Sequence, residues 1–121
     1  MALTPQARET FTRLFGVEPQ SHPTDPELFD ILQNGIFDEA FSTGVLTAVE
    51  RELISLVAIA AIGATTQLRP HVAGAIRAGS SRQKVAAALV HVMPYIGGPY
   101  ALSGLVLVAR YDESASAEVY R

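Results

Sequence analysis

Glu50 to Gly79, ERELISLVAIAAIGATTQLRPHVAGAIRAG, is the stretch on which the reading of the fold turns. Its first half is apolar on almost every side and is interrupted by Gly63. Its second half carries one histidine, His71, among small residues. This pattern predicts two helices joined by a short break. Glu52 and His71 are the one pair in the stretch suited to be an acid/base couple. They stand nineteen positions apart on consecutive helices, so a helical hairpin can bring them together.

Thr47-x-x-Glu50 is a capping box and opens the first of the two helices. That helix is expected to run to about Ile62. Being apolar nearly all round, it is expected to be the central buried helix. Glu52 stands out against that background. Its plain alternative role is a solvated first-turn carboxylate that favours the helix dipole. Gly63 ends the helix, Thr65 or Thr66 is expected to cap the next, and Pro70 is acceptable only in a first turn. His71, Gly74, Ala75 and Ala78 then share one face. That face is nearly free of bulk, which suits either a close helix–helix contact or a ligand beside the imidazole.

Working outward, Thr4-Pro5 and Asp25-Pro26 each read as an N-cap followed by a first-turn proline. Phe11, Leu14 and Phe15 give the first helix its apolar side. Pro19 and Pro23 mark a connecting loop. Leu28, Phe29, Leu32 and Ile36 keep helical spacing, with a bend expected at Asn34-Gly35. Downstream, Gly79 closes a helix and Ser80-x-x-Gln83 is expected to start the fifth, striped by Val85, Leu89 and Val92. Pro94 should end or kink it, and Gly97-Gly98-Pro99 opens the last helix. No strand pattern or internal repeat is present. The expectation is all-α: one domain over residues 1–121, about six helices, short connections, and a flexible polar tail from about residue 112.

Composition narrows the function classes. The chain of 121 residues is 49% hydrophobic, more than a small monomer readily hides, which points to self-association. The net charge of −3 and nine scattered basic residues offer no nucleic-acid footprint. The absence of cysteine excludes disulfides, thiol redox catalysis and Cys-based metal sites. The most apolar run, from Leu53 to Ala64 and including Ser55, falls well short of the roughly 20 residues that span a bilayer. MALTPQARETF has no apolar signal core, so a soluble, cytoplasmic protein is expected.

The spacing Glu52, Ala64, Gln67, His71 and the phrases REL, QLRPHVAGAIRAG and YIGGPYAL resemble the carboxymuconolactone decarboxylase family of the alkylhydroperoxidase D-like superfamily. The resemblance runs from about Leu14 to Ala109. In the superfamily's peroxidase branch the frame is Glu-x11-Cys-x2-Cys-x3-His. Here Ala64 and Gln67 occupy both cysteine positions, so thiol peroxidase activity is excluded. The resemblance implies a helical bundle, a trimer or hexamer, no cofactor, and a proton relay through Glu52 and His71.

Decarboxylation is the activity the resemblance implies. The family's lactone substrate passes the electrons of its departing carboxylate into its own ring carbonyl, so the protein need only hold carboxylates, stabilise an oxyanion and deliver a proton. His71 would be the donor and Glu52 its partner. Gln67, one turn before His71, would give an amide hydrogen to the oxyanion. Carboxylate holding calls for arginine, with Arg51, Arg69 and Arg77 as local candidates. Arg69, two residues before His71, faces roughly the opposite side of its helix, toward a neighbouring subunit's site or a structural ion pair. The family's Arg-x-Arg-Glu-Leu has Val49 in its first position here, and Ser103 stands where its Asn often does, so a diacid substrate is less secure. Proton-transfer isomerisation or cyclisation, and a catalytically silent ligand-binding role, are the alternatives. Tyr95 and, one turn earlier, His91 are candidate substrate-binding residues. His71, His91 and Glu52 have the composition of a two-histidine, one-carboxylate metal site, but no His-x-x-x-His spacing supports one and none is expected.

Overall fold

The computed structural model describes residues 2–112, so the expected flexible tail lies outside the described residues apart from Asp112. The fold is all-α, as the sequence predicts. The helices are α1 (Pro5–Phe15), α2 (Pro26–Asn34), α3 (Ala48–Ala61), α4 (Thr65–Ala78), α5 (Arg82–Ile96) and α6 (Gly98–Arg110). No strand occurs among the described residues, and none of their helices is long and apolar enough to cross a membrane.

Three helix starts are written in local sequence. Thr4 Oγ1 accepts from Ala7 N–H, and Asp25 accepts from Leu28 N–H, each ahead of a proline. At α3 the Thr47 hydroxyl accepts from Glu50 N–H, while the Glu50 carboxylate accepts from Thr47 N–H at 3.0 Å. The Thr47 backbone N–H, and after it the Thr47 hydroxyl, hold the Glu50 carboxyl below its ordinary value of 4.5. A folded-state pKa below the unfolded one stabilises above the unfolded value and is lost as pH falls through the folded one. Thermal melts between pH 3 and 7 should therefore lose stability below about pH 4.5, and Glu50→Gln should flatten that limb. Equal acid slopes for both proteins would show that the cap does not titrate.

Other starts differ from expectation. α5 is capped by Ser81, whose hydroxyl accepts from Lys84 N–H, one residue after the predicted Ser80; Ser80 is buried instead. α4 has no side-chain cap at all, because Thr65 is already helical. Gly63, at φ 71°, turns the chain so tightly that only Ala64 separates it from α4. Pro70 consequently sits in the second turn rather than the first and has no N–H to give to the Thr66 carbonyl. Pro94 likewise stays inside α5, which ends two residues later at Ile96. At Asn34-Gly35 the expected bend is a widening: α2 runs on as a π-helical turn, Gly35–Ala40.

Two apolar cores result. One gathers Leu56, Ala60, Leu68, Val72, Val85 and Leu89 with Val108 between α3, α4, α5 and α6. Gly104 lets α6 approach α5 so closely that a Cβ there would lie 2.8 Å from a Leu89 methyl. Arg82 ties the two helices again by donating to the last α6 carbonyls, Val108 and Ala109. The second core is Ala7, Phe11, Leu14, Phe15 and Phe37, between α1 and the π turn.

α4, not α3, is the central helix: it packs on α1, α3, α5 and α6. α3 buries only Glu52, Leu56 and Ala60. Its partners all lie to one side, and Ile54 and Ile62 remain 54% and 75% exposed. α2 buries no residue. It and the π turn are held by Phe37 in the aromatic core and by a polar clasp. In that clasp Thr4 N–H donates to Asn34 Oδ1 at 2.8 Å, and Thr4 Oγ1 to Asp38 Oδ2 at 2.6 Å.

Candidate active site

The tight Ile62–Ala64 connection folds α4 back along α3, and the small face of α4 meets it. Of the two uses open to that face, the structure takes the close contact. A Cβ on Gly74 would lie 3.0 Å from Glu52 Oε2 and 3.0 Å from Phe15 Cε1. The absence of that carbon is what admits the Glu52 carboxylate between the helices. Glu52 is 1% exposed, so it is not the solvated first-turn residue of the plain alternative.

Glu52 Oε2 lies 3.2 Å from His71 Nδ1. With a proton on Nδ1 the ring donates to the Glu52 carboxylate and keeps its lone pair on Nε2. The His71 ring stands edge-on to Phe15, with centroids 5.4 Å apart. The pair lies where the two cores meet: Phe15 belongs to one, and Val72, next to His71, to the other.

His71 opens on a cavity of about 340 Å³, within the range of small-molecule sites. Its walls are apolar, from Phe11, Phe15, Phe29, Ile36 and Phe37. Phe11, Phe15 and Phe37 meet one another edge to face, at centroid distances of 4.8, 5.5 and 5.6 Å. Among the described residues the polar lining is Gln20, Gln33, Gln67 and His71, with Glu18 the one carboxylate and no arginine or lysine. Gln67 thus falls beside His71, as its place one turn earlier predicts.

The other expected binding residues do not line this cavity. Arg51, in the first turn of α3, points back toward the incoming loop. Its guanidinium donates to the Thr43 and Leu46 carbonyls, at 2.8 and 3.2 Å, and lies over the Phe41 ring. Arg77 is laid against Gly16 at the end of α1. Arg69 is exposed on α4. His91 and Tyr95 are exposed on α5, their rings 6.5 Å apart. α5 contributes no wall to the cavity, which is built from α1, the loop after it, α2, the π turn and α4. Among the described residues no group of three or more His, Asp or Glu side chains gathers to hold a metal ion.

Sequence reasoning missed the aromatic wall. Phe11 and Phe15 were legible as the apolar side of α1, and Phe29 and Ile36 as that of α2. Their convergence on His71 is a long-range event with no local signature. Gln33, one turn after Phe29, carried a usable signal: a polar amide bordering an apolar stripe.

A search among curated proteins gives no match. The absence of cysteine leaves the Cys-x-x-Cys thiols of the peroxidase branch without a counterpart. The model of the carboxymuconolactone decarboxylase family matches residues 26–110, well over half of the chain and inclusive of Glu52, Gln67 and His71, and the chain belongs to that family.

Proposed function

We propose that this chain is a cofactor-free enzyme that moves a proton on a small carbonyl or lactone substrate. His71 is its acid/base and Glu52 the buried partner that orients it. The observation carrying this reading is the 3.2 Å contact between a 1%-exposed carboxylate and an imidazole that lines a cavity. A scaffold without chemistry has no need to bury a glutamate there, since burying a carboxylate is costly unless it is paired.

In this mechanism Nε2 of His71 takes a proton from the carbon next to the carbonyl. The C–H electron pair moves into the carbonyl and leaves an enolate oxygen. The Gln67 amide donates a hydrogen to that oxygen. Nε2 exchanges that proton with water, and delivery of a proton from it to a second carbon of the conjugated system gives an isomer, with no change in oxidation state. Glu52 keeps the proton on Nδ1 and balances the charge His71 acquires.

Decarboxylation of a diacid, the first expectation from the resemblance, loses support because no arginine or lysine among the described residues lines the cavity. The test is deuterium incorporation from D2O, followed by NMR, for cyclic enones, aryl ketones and butenolides. Carboxymuconolactone is run beside them for CO2 release. Exchange by wild type that is lost in His71→Ala supports the reading. No exchange with any of them ends it.

The same reading includes assembly into a trimer or hexamer. Ile54 on the outer face of α3 and Ile62 just past its end, with Leu102 and Val106 on α6, are exposed apolar side chains in the single chain. Light scattering after gel filtration should give three or six times 12.9 kDa. A monomer mass would remove this part.

A further inference from the structure

We propose that the cavity beside His71 selects an uncharged aromatic molecule carrying one carbonyl or hydroxyl group, and rejects carboxylates. This rests on the acid/base reading of the same site. Charge is the first argument. Among the described residues the only charged side chain lining the cavity is Glu18, and that carboxylate is already held by Arg8 at 3.2 Å on the surface. A second carboxylate, Glu52, lies directly behind His71. When His71 takes up a proton it forms a pair with Glu52 that has no net charge. An anionic ligand would therefore leave water for a site whose described lining offers no arginine or lysine to receive it.

The positions of the arginines agree. Arg51 is turned to the Thr43 and Leu46 carbonyls and Arg77 lies against Gly16, and neither lines the cavity. Shape is the second argument. Phe11, Phe15 and Phe37 stand edge to face, and Phe29 adds a further ring from α2. Such walls suit a flat ring, which stacks or meets them edge-on. The third argument is the hydrogen-bonding set. Gln33 and Gln67 are neutral amides, each with a donor and an acceptor. Gln33 Oε1 is buried with no hydrogen-bond partner among the described residues, so it is an acceptor in want of a hydroxyl. The amides match a carbonyl or hydroxyl oxygen and give nothing to offset a full negative charge.

The experiment uses two probes of one size: 2-naphthol, neutral at pH 7, and 2-naphthoate, anionic there. Binding to the full chain in its native assembly is followed by naphthyl fluorescence and by calorimetry. The expected result is at least tenfold tighter binding of 2-naphthol. Ile36→Arg, at a cavity residue that is already 47% exposed, should reverse or erase that preference. Equal or tighter binding of 2-naphthoate by wild type overturns the proposal. So does tight naphthoate binding that Arg69→Ala abolishes, which would assign the anion site to an arginine on a neighbouring subunit. Failure of both probes to bind, or indifference to Ile36→Arg, overturns it as well. Because binding needs no turnover, failure of deuterium exchange with the naphthol preference intact would strike the catalytic reading alone. Exchange that persists while naphthoate binds best would strike the ligand class alone.

Discussion

His71→Ala is expected to lower the rate of deuterium exchange by about 10²- to 10⁴-fold, the range for removing a positioned general acid or base. Among the described residues that line the cavity, Gln20, Gln33 and Gln67 are amides and the Glu18 carboxylate is paired with Arg8, which leaves the ring as the proposed acid/base. The substitution has a structural cost too. It leaves Glu52, which is 1% exposed, without the donor that stood 3.2 Å away. An orphaned buried acceptor costs about 1–3 kcal/mol. His71→Gln separates the two effects, because its amide N–H can still donate to Glu52 but does not titrate. The expected pattern is a stability near wild type for His71→Gln, a lower one for His71→Ala, and loss of exchange in both. Exchange that survives in a folded His71→Gln protein would remove His71 from the chemistry.

Gly74→Ala is expected to reduce both stability and rate, against the usual benefit of alanine in a helix. Helix propensity alone favours the substitution by about 1 kcal/mol. The new methyl, however, would arrive 3.0 Å from Glu52 Oε2 and from Phe15 Cε1. Neither can easily retreat. Glu52 is fixed between α3 and α4 by His71, and Phe15 is locked edge to face against Phe11, Phe37 and the His71 ring. Overpacking of this kind costs about 1–3 kcal/mol, so it outweighs the propensity gain. The atom displaced is the one that, in the proposed mechanism, holds the proton on Nδ1, so kcat for exchange should fall by more than the loss of stability explains. Thermal melts and exchange rates measured together check this. An unchanged or raised melting temperature with an unchanged rate would mean that the carboxylate has room to spare.

Much of the fold is legible because its signals are local. Thr4-Pro5, Asp25-Pro26 and Thr47-x-x-Glu50 each bring cap and helix start close together in sequence. The slips are also local: adjacent serines at 80 and 81 offer two cap registers, and the tight turn at Gly63 moves the start of α4 ahead of its threonines. Glu52 with His71 was readable from one hairpin, and Gln67 from one helical turn. The cavity was not, because its walls come from α1, α2, the π turn and α4, brought together only by packing. Arg51 misled because a cation near the pair in sequence is turned away by its place in the first turn of α3. α3 misled because apolar residues all round a helix predict burial, whereas here its outer face is left uncovered in the single chain.

α2 buries nothing, yet with the π turn it supplies Phe29, Gln33, Ile36 and Phe37 to the cavity. The Glu52–His71 pair, to which the proposal gives the proton transfer, belongs to α3 and α4, in the body of the fold. Under the proposal, one wall of the part that would choose a molecule is thus separate from the pair that would transform it. Exchanges at Phe29, Gln33 or Ile36 alter what fits while touching neither the Glu52–His71 contact nor the larger core. Such a chain can be retooled for new molecules one wall residue at a time, with its chemistry and its folding left in place.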